Sequence, residues 1–383
     1  MFDFREIPFF DNHTHVTNVS NREIKPLELI SPFLHGLRDV FPGMEGGWNG
    51  ISPSLAGHIE NYGVVKTLLH HLSQYLGCDP TLEAVVRERN RRSLTDMAGY
   101  TKQLYDDQHI IGEMADAGEK MGDPRLDCFP CRIFRLFQMD PLFRRLLGES
   151  ADFRTMKTRY LAGLQAAADE GYAGIKCHVF EVLDHPVRLV EETEAESAFA
   201  AAVSGDKAAW ETVYLALFAK TLDLCQVLDL PIHIHTGCTG NPANDLLHNC
   251  DPLSIAPFLN NPRFSNTTIV FLHANYPDIR HAALMTHAYP NVWVDLSWVL
   301  PWNSLNFTQC LEEVLGVAPH DKIMLGTGQH DIPEMAWVSA KIAKSALAHV
   351  MEKAVKTDLL SPRQAQETAE ALLYRNAKRL YHF

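Results

Sequence analysis

A closed (β/α)8 barrel of parallel strands, the TIM-barrel class, is the fold this chain predicts. Two observations point to it. Eight short β-like runs occur along the sequence, and from about residue 110 onward they alternate with longer helix-like segments. Crossovers of that length imply parallel pairing, and the eightfold count favours closure over an open doubly wound sheet. At 383 residues the chain accommodates one such barrel with insertions.

The first run, residues 7–15, ends in Asp11-Asn12-His13-Thr14-His15. The others cover 109–114, 131–137, 173–178, 230–235, 268–273, 291–297 and 322–327. Segments 153–170, 208–228 and 335–356 carry apolar residues at helical spacing, and 253–259 adds a short helical turn. Residues 22–105 are too long for one simple connection and read as a helical insertion after the first strand, covering one end of the barrel. Its helical periodicity lies around 64–76 and 81–104, and Phe41-Pro42-Gly43-Met44-Glu45-Gly46-Gly47 is a loop with Gly and Pro breakers. The last segment, 361–381, opens with Ser361-Pro362 and runs helically. Residues 1–383 are thus expected to form a single barrel domain with 22–105 inserted in it.

Composition narrows the functional classes. With 46% hydrophobic and 21% charged residues, and no apolar run long enough to span a bilayer, the chain reads as a soluble globular protein. Met1-Phe2-Asp3-Phe4-Arg5-Glu6 has no basic segment followed by an apolar stretch, so a cytoplasmic location is the expectation. A formal charge of −13 without clustered Lys and Arg argues against nucleic acid and towards small-molecule ligands. Of the eight cysteines only Cys128 and Cys131 have the two-residue gap of a zinc or redox pair. With no second pair nearby they read as buried reduced thiols.

Five of the eight runs end in, or lead into, residues that bind metal or move protons. On an extended backbone residues i and i+2 project from the same face, so His13 and His15 can converge on one ion. Lys176 lies on the fourth run, His233 and His235 on the fifth, and His273 ends the sixth. The eighth leads into Gly326-Thr327-Gly328-Gln329-His330-Asp331. All strand C-termini of such a barrel open on one face, where active sites of this fold lie. Neutral imidazoles and carboxylates suit a divalent ion of the zinc or manganese type, with zinc the first expectation. An open coordination position lowers the pKa of a bound water to about 7, and a nearby carboxylate can then move its proton. That combination is metal-assisted hydrolysis.

Each residue also has a purely structural reading. Of the fifth-run pair, His235 is the ligand candidate and His233 a hydrogen-bonded barrel residue. Lys176 is a site residue or the partner of an acid. Arg135, near the end of the third run, is a structural ion-pair partner or a clamp for a substrate carboxylate. His178, two residues beyond Lys176, reads as a supporting or loop histidine on the substrate side. Asp295 and Ser297 end the seventh run, where hydrogen bonds to neighbouring loops account for them nearly as well as chemistry does.

These motifs resemble those of the amidohydrolase superfamily, and within it the amidohydrolase-related (amidohydrolase 2) branch. That branch also occurs fused to glutamine-synthetase-like domains in FluG- and nodulin-type proteins. The matching stretches are Asp11-Asn12-His13-Thr14-His15, Pro231-Ile232-His233-Ile234-His235-Thr236-Gly237 and Phe271-Leu272-His273-Ala274-Asn275-Tyr276-Pro277. Asn291-Val292-Trp293-Val294-Asp295-Leu296-Ser297, Pro333-Glu334 and the C-terminal residues 373–381 complete them. The resemblance implies a (β/α)8 barrel with one or two divalent metals. It makes His13 and His15 first-strand ligands, His235 the fifth-strand ligand, and His273 a sixth-strand ligand or substrate-polarising residue. Lys176 is placed similarly to the fourth-strand lysine that some members carry as a metal-bridging carbamate.

One position departs from the pattern. The superfamily carries an Asp directly after the eighth strand as ligand and proton shuttle, whereas Thr327 is followed here by Gly328. Asp331, three residues later, is the expected replacement, with His330 the other candidate. The expected activity is hydrolysis of an amide or related C–N bond in a small carboxylate-bearing substrate, with Arg135 and Lys176 supplying positive charge. The same branch includes decarboxylases, lactonases and sugar-acid isomerases, so those reactions stay open. So does a non-catalytic, ligand-binding barrel that has lost the eighth-strand Asp. By resemblance the chain is expected to form a homo-oligomer.

Overall fold

The computed structural model describes residues 2–17, 20–34, 58–116, 126, 129–237 and 250–383; the 41–47 loop and Cys128 lie outside the described residues. The strands are β1 (Phe9–Thr17), β2 (Ile110–Asp116), β3 (Arg132–Gln138), β4 (Gly174–Cys177) and β5 (Ile232–His235). They continue with β6 (Ile269–Leu272), β7 (Val292–Asp295), β8 (Ile323–Met324) and β9 (Gln329–Asp331). All pair in parallel in one sheet of order β8-β7-β6-β5-β4-β3-β2-β1-β9.

β8 and β9 are two halves of the predicted eighth run and its continuation. β8 pairs with β7 and β9 with β1, while between them Asn12 N donates to Leu325 O at 3.0 Å and Gly328 N to His13 O at 2.8 Å. The eighth segment therefore bonds to both neighbours and closes the barrel. Regular pairing breaks at two glycines. A Cβ at Gly326 would stand 2.9 Å from the His13 backbone nitrogen, and Gly328 has φ of 61°.

Alternation sorts the strand side chains. Phe10, Phe134, Leu136, Val270, Leu272 and Met324 pack inside the barrel, whereas Ile175, Ile232, Ile234 and Phe271 face the helices. The C-terminal residues seal the floor, with Tyr381 and Phe383 stacked on Phe10 at 5.7 and 5.0 Å. Polar side chains collect at the other end, where the strands finish.

Helices Phe153–Asp169, Lys207–Leu228 and Pro333–Lys356 lie within two residues of their predicted bounds. Between β1 and β2 run Gly63–Leu76, Leu82–Ser93 and Met97–Asp107. The single helical stretch expected over 81–104 is instead two, because the Asp96 side chain accepts from Gly99 N at 2.8 Å and caps a new start. Val65, Leu68, Val85 and Leu104 of this insertion share one core cluster with Trp337 and Leu347 of Pro333–Lys356. Within it Arg89 Nε donates to Glu334 Oε1 at 2.7 Å, both side chains being buried. No helix among the described residues is long and apolar enough to cross a membrane.

Candidate active site

At the strand C-termini the imidazole rings form a continuous row. His15 stacks on His330 with centroids 3.8 Å apart, and His13 lies 4.9 Å from His15 and 5.2 Å from His273. His273 is 4.3 Å from His235, which is 5.4 Å from His178. The barrel thus brings together the histidines of β1, β5 and β9, the one that follows β6 and the one that follows β4. Burial, with like charge from Lys176 and the neighbouring rings, holds His13 well below the usual histidine range. Burial lowers His235 too, with Glu181 opposing it, and puts His273 well below that range. These rings are neutral at pH 7, as ligation of a metal requires.

The proton on His273 can be placed. Its Nδ1 is 2.9 Å from Ser297 Oγ and 3.2 Å from Ser297 O, and the Ser297 hydroxyl hydrogen goes to Asp295 Oδ1. Both atoms facing Nδ1 are therefore acceptors, so Nδ1 carries the hydrogen and Nε2 the lone pair. That Nε2 is buried without a hydrogen-bond partner in the protein. A buried, unpaired acceptor beside further neutral imidazoles and carboxylates fits a divalent cation.

Lys176 Nζ sits 2.6 Å from Asp116 Oδ2 and 3.3 Å from His13 Nε2. Gln138 Nε2 donates to both Asp116 oxygens, at 2.6 and 2.8 Å. Burial would raise Asp116, but Lys176 outweighs it and the carboxyl is lowered. His178 is held by Asp140, whose Oδ2 faces Nδ1 at 2.9 Å and whose Oδ1 accepts from Tyr214 OH at 2.5 Å. Burial opposes the charged form of His178, yet the bond to Asp140 outweighs it and raises the ring. Glu181 Oε1 lies 2.7 Å from His235 Nδ1, and that contact overcomes burial to bring the carboxyl down to about 2.

Further acids lie beside and below the mouth. Asp11 accepts from Thr327 N at 2.8 Å and His13 N at 3.2 Å, fixing the first strand against the eighth segment. Burial pushes Asp11 up to about 7 and Asp295 to about 6. In the interior Tyr381 OH bonds Asn12 Oδ1 and is 3.3 Å from His233 Nε2. Burial, then Lys176, push His233 down to about 3. Unfolded, this histidine takes a proton near pH 6.5; folded, it does not until about 3, so it costs stability as pH falls through that window. The cost reaches about 1.4 kcal/mol per pH unit. His233→Gln is expected to shrink the fall in urea midpoint between pH 6.5 and 4.5; an unchanged fall would refute a neutral buried ring.

Two expected site residues are not brought into this row. β3 turns Phe134, Leu136 and Gln138 inward, so Arg135 falls on the outer face with Ile133 and Phe137. Asp331 is exposed at the end of β9 with φ of 62°. A carboxylate directly after Thr327 has no room: a Cβ at Gly328 would fall inside the Trp298 indole. Trp298 Nε1 donates to Gly328 O at 3.2 Å, and the indole stacks on His273 at 4.2 Å. Sequence reasoning missed Asp116, Asp140, Glu181 and Trp298. The His178-x-x-Glu181 spacing after β4 was the one readable signal for Glu181.

Residues 157–383, more than half of the chain, match the family model described as amidohydrolase. A stretch of 171 residues, 43% of the chain, is 29% identical to protein fluG of Emericella nidulans, and the match spans only 19% of that protein's length. Among solved structures, a Lactobacillus casei protein provisionally assigned as a metal-dependent hydrolase superposes with a TM-score of 0.82 at 17% identity, covering 100% of this chain and 98% of that one. A glucuronate isomerase from Caulobacter crescentus gives a TM-score of 0.70 at 16% identity, covering 99% and 92%. At these identities the structural likeness speaks to the fold alone. The family match, extending from the helix before the fourth strand to the C-terminus, carries the assignment: the chain belongs to the amidohydrolase family.

Proposed function

We propose that the chain is a metal-dependent hydrolase that cleaves an amide or related C–N bond of a small carboxylate-bearing substrate. The observation that carries this reading is the lone pair of His273 Nε2, buried without a protein partner among neutral histidines at the barrel mouth. His235 and His273, with His13 and His15 opposite, would hold the ion, zinc or manganese by donor type. Bound there, the ion would supply Lewis-acid polarisation and a water acidified towards neutral pH. Ser297 and Asp295 orient His273 by fixing its tautomer. Trp298, stacked on His273, excludes water from one side of that ring. Lys176 brings the positive charge that a substrate carboxylate would meet, tempered by Asp116.

Purified protein is expected to carry divalent metal and to lose turnover of carboxylated amides on chelation, with recovery on adding zinc or manganese. His13→Ala is expected to lower metal content and turnover at least tenfold, read by elemental analysis and product detection. Turnover of lactones or uronates but of no amide would move the reaction to another chemistry on the same barrel. The indole filling position 328 favours a second reading, a ligand-binding barrel without turnover. Metal-loaded protein that binds but converts none of these substrates would establish that reading.

A further inference from the structure

We propose that His178, Glu181 and His235 bind a divalent transition-metal ion at the ends of β4 and β5, so that Glu181 supplies the carboxylate ligand for which position 328 has no room. The proposal rests on the reading of the mouth as a metal centre, and adds where in the mouth an ion sits. Among the described residues this is the one group of three whose ligand atoms all lie within 4.8 Å of one another. Asp331, the expected carboxylate, is not in it.

Local structure explains how the three meet. β4 ends at Cys177, His178 is the N-cap of the helical turn Val179–Val182, and Glu181 lies on that turn. Residues three apart on a helical turn share a side, so His178 and Glu181 project together. His235 arrives from β5, which pairs directly with β4, and places Nδ1 2.7 Å from Glu181 Oε1. Asp140 engages His178 Nδ1 at 2.9 Å and is itself fixed by Tyr214 OH at 2.5 Å. The remaining nitrogen, Nε2, is then the one an ion can use, the arrangement by which carboxylates orient metal-bound imidazoles. Two imidazoles and one carboxylate are a donor set that catalytic zinc uses with a fourth position left to water or substrate.

His13 Nε2 faces Lys176 Nζ at 3.3 Å, and the His15 ring lies flat on His330 at 3.8 Å. The group after β4 and β5 is the one already gathered around a common point.

The test uses chelator-stripped full-length protein titrated with Co2+, followed by its visible absorption, and with Zn2+ in competition. Circular dichroism and melting check that each variant is folded. Glu181→Gln and His178→Ala are each expected to weaken binding at least tenfold and to alter the cobalt spectrum. Glu181→Asp is expected to retain part of the affinity. Wild-type affinity and spectrum in both Glu181→Gln and His178→Ala, with loss only in His13→Ala, would overturn the proposal while leaving the proposed function standing. Weakening in Glu181→Gln alone would make Glu181 a positioning residue for His235 and would equally overturn it. Wild-type protein that takes up neither ion would remove both readings.

Discussion

Gly328→Asp, which writes back the carboxylate that the sequence resemblance leads one to expect, is expected to destabilise the protein by about 4–7 kcal/mol instead of restoring a ligand. Two costs add. Gly328 has φ of 61°, where a residue with a Cβ pays about 1–2 kcal/mol. The larger cost is steric, because the new Cβ would fall within the Trp298 indole. That indole is buried, stacked on His273 at 4.2 Å and on Trp302 at 5.0 Å. Expelling a packed aromatic costs about 3–5 kcal/mol by analogy with truncating one. Urea denaturation of Gly328→Asp, Trp298→Gly and the double variant tests the cause. If the indole is the obstacle, aspartate costs less in the Trp298→Gly background, with a coupling of about 0.5–3 kcal/mol. Strictly additive effects would mean that the two residues do not compete for the same space.

How far the sequence foretold this site follows from the same geometry. His13, His15, His235 and His273 could be read because each ends a β-like run, and a parallel barrel delivers all strand ends to one mouth. The residues that escaped reading sit where no period reports them. Asp116 ends β2 two residues past the apolar run that marks the strand, and Glu181 lies on a single helical turn. Trp298 takes φ of 62°, which nothing in its residue type announces. Arg135 is placed away from the row for another reason. β3 reads Arg132-Ile133-Phe134-Arg135-Leu136-Phe137-Gln138, apolar on both faces, so alternation alone leaves open which parity points inward. The decision came from Phe134 and Leu136 filling the barrel and from Gln138 reaching Asp116. In the eighth segment the two glycines cut the expected strand short at β8 and regular pairing resumes beyond it in β9, and the carboxylate of Asp331 ends up exposed.

Arg89→Met is expected to cost about 3–5 kcal/mol, although Arg89 lies in the insertion and outside the row of histidines. Its guanidinium and the Glu334 carboxylate are 2% and 0% exposed, 2.7 Å apart. Arg89 also donates to Ser93 Oγ at 3.1 Å, and its guanidinium carbon lies 5.7 Å from the Tyr100 ring. The methionine substitution keeps much of the side-chain volume and deletes the charge, so Glu334 is left buried without its partner. Placement in the first turn of Pro333–Lys356 offsets only a small part of that, since a helix N-terminus stabilises an anion by about 0.3–1 kcal/mol. Arg89→Met/Glu334→Leu removes both charges and is expected to recover most of the loss, because a buried pair replaced by apolar groups is close to neutral. A single variant within 1 kcal/mol of wild type would show that the pair does not hold the insertion in place. The consequence reaches the mouth through the chain itself. Glu334 follows β9 by three residues, and β9 both completes the barrel against β1 and carries His330 onto His15. Loosening the Arg89–Glu334 contact is therefore expected to weaken metal affinity together with stability, whereas Arg89→Met/Glu334→Leu restores both.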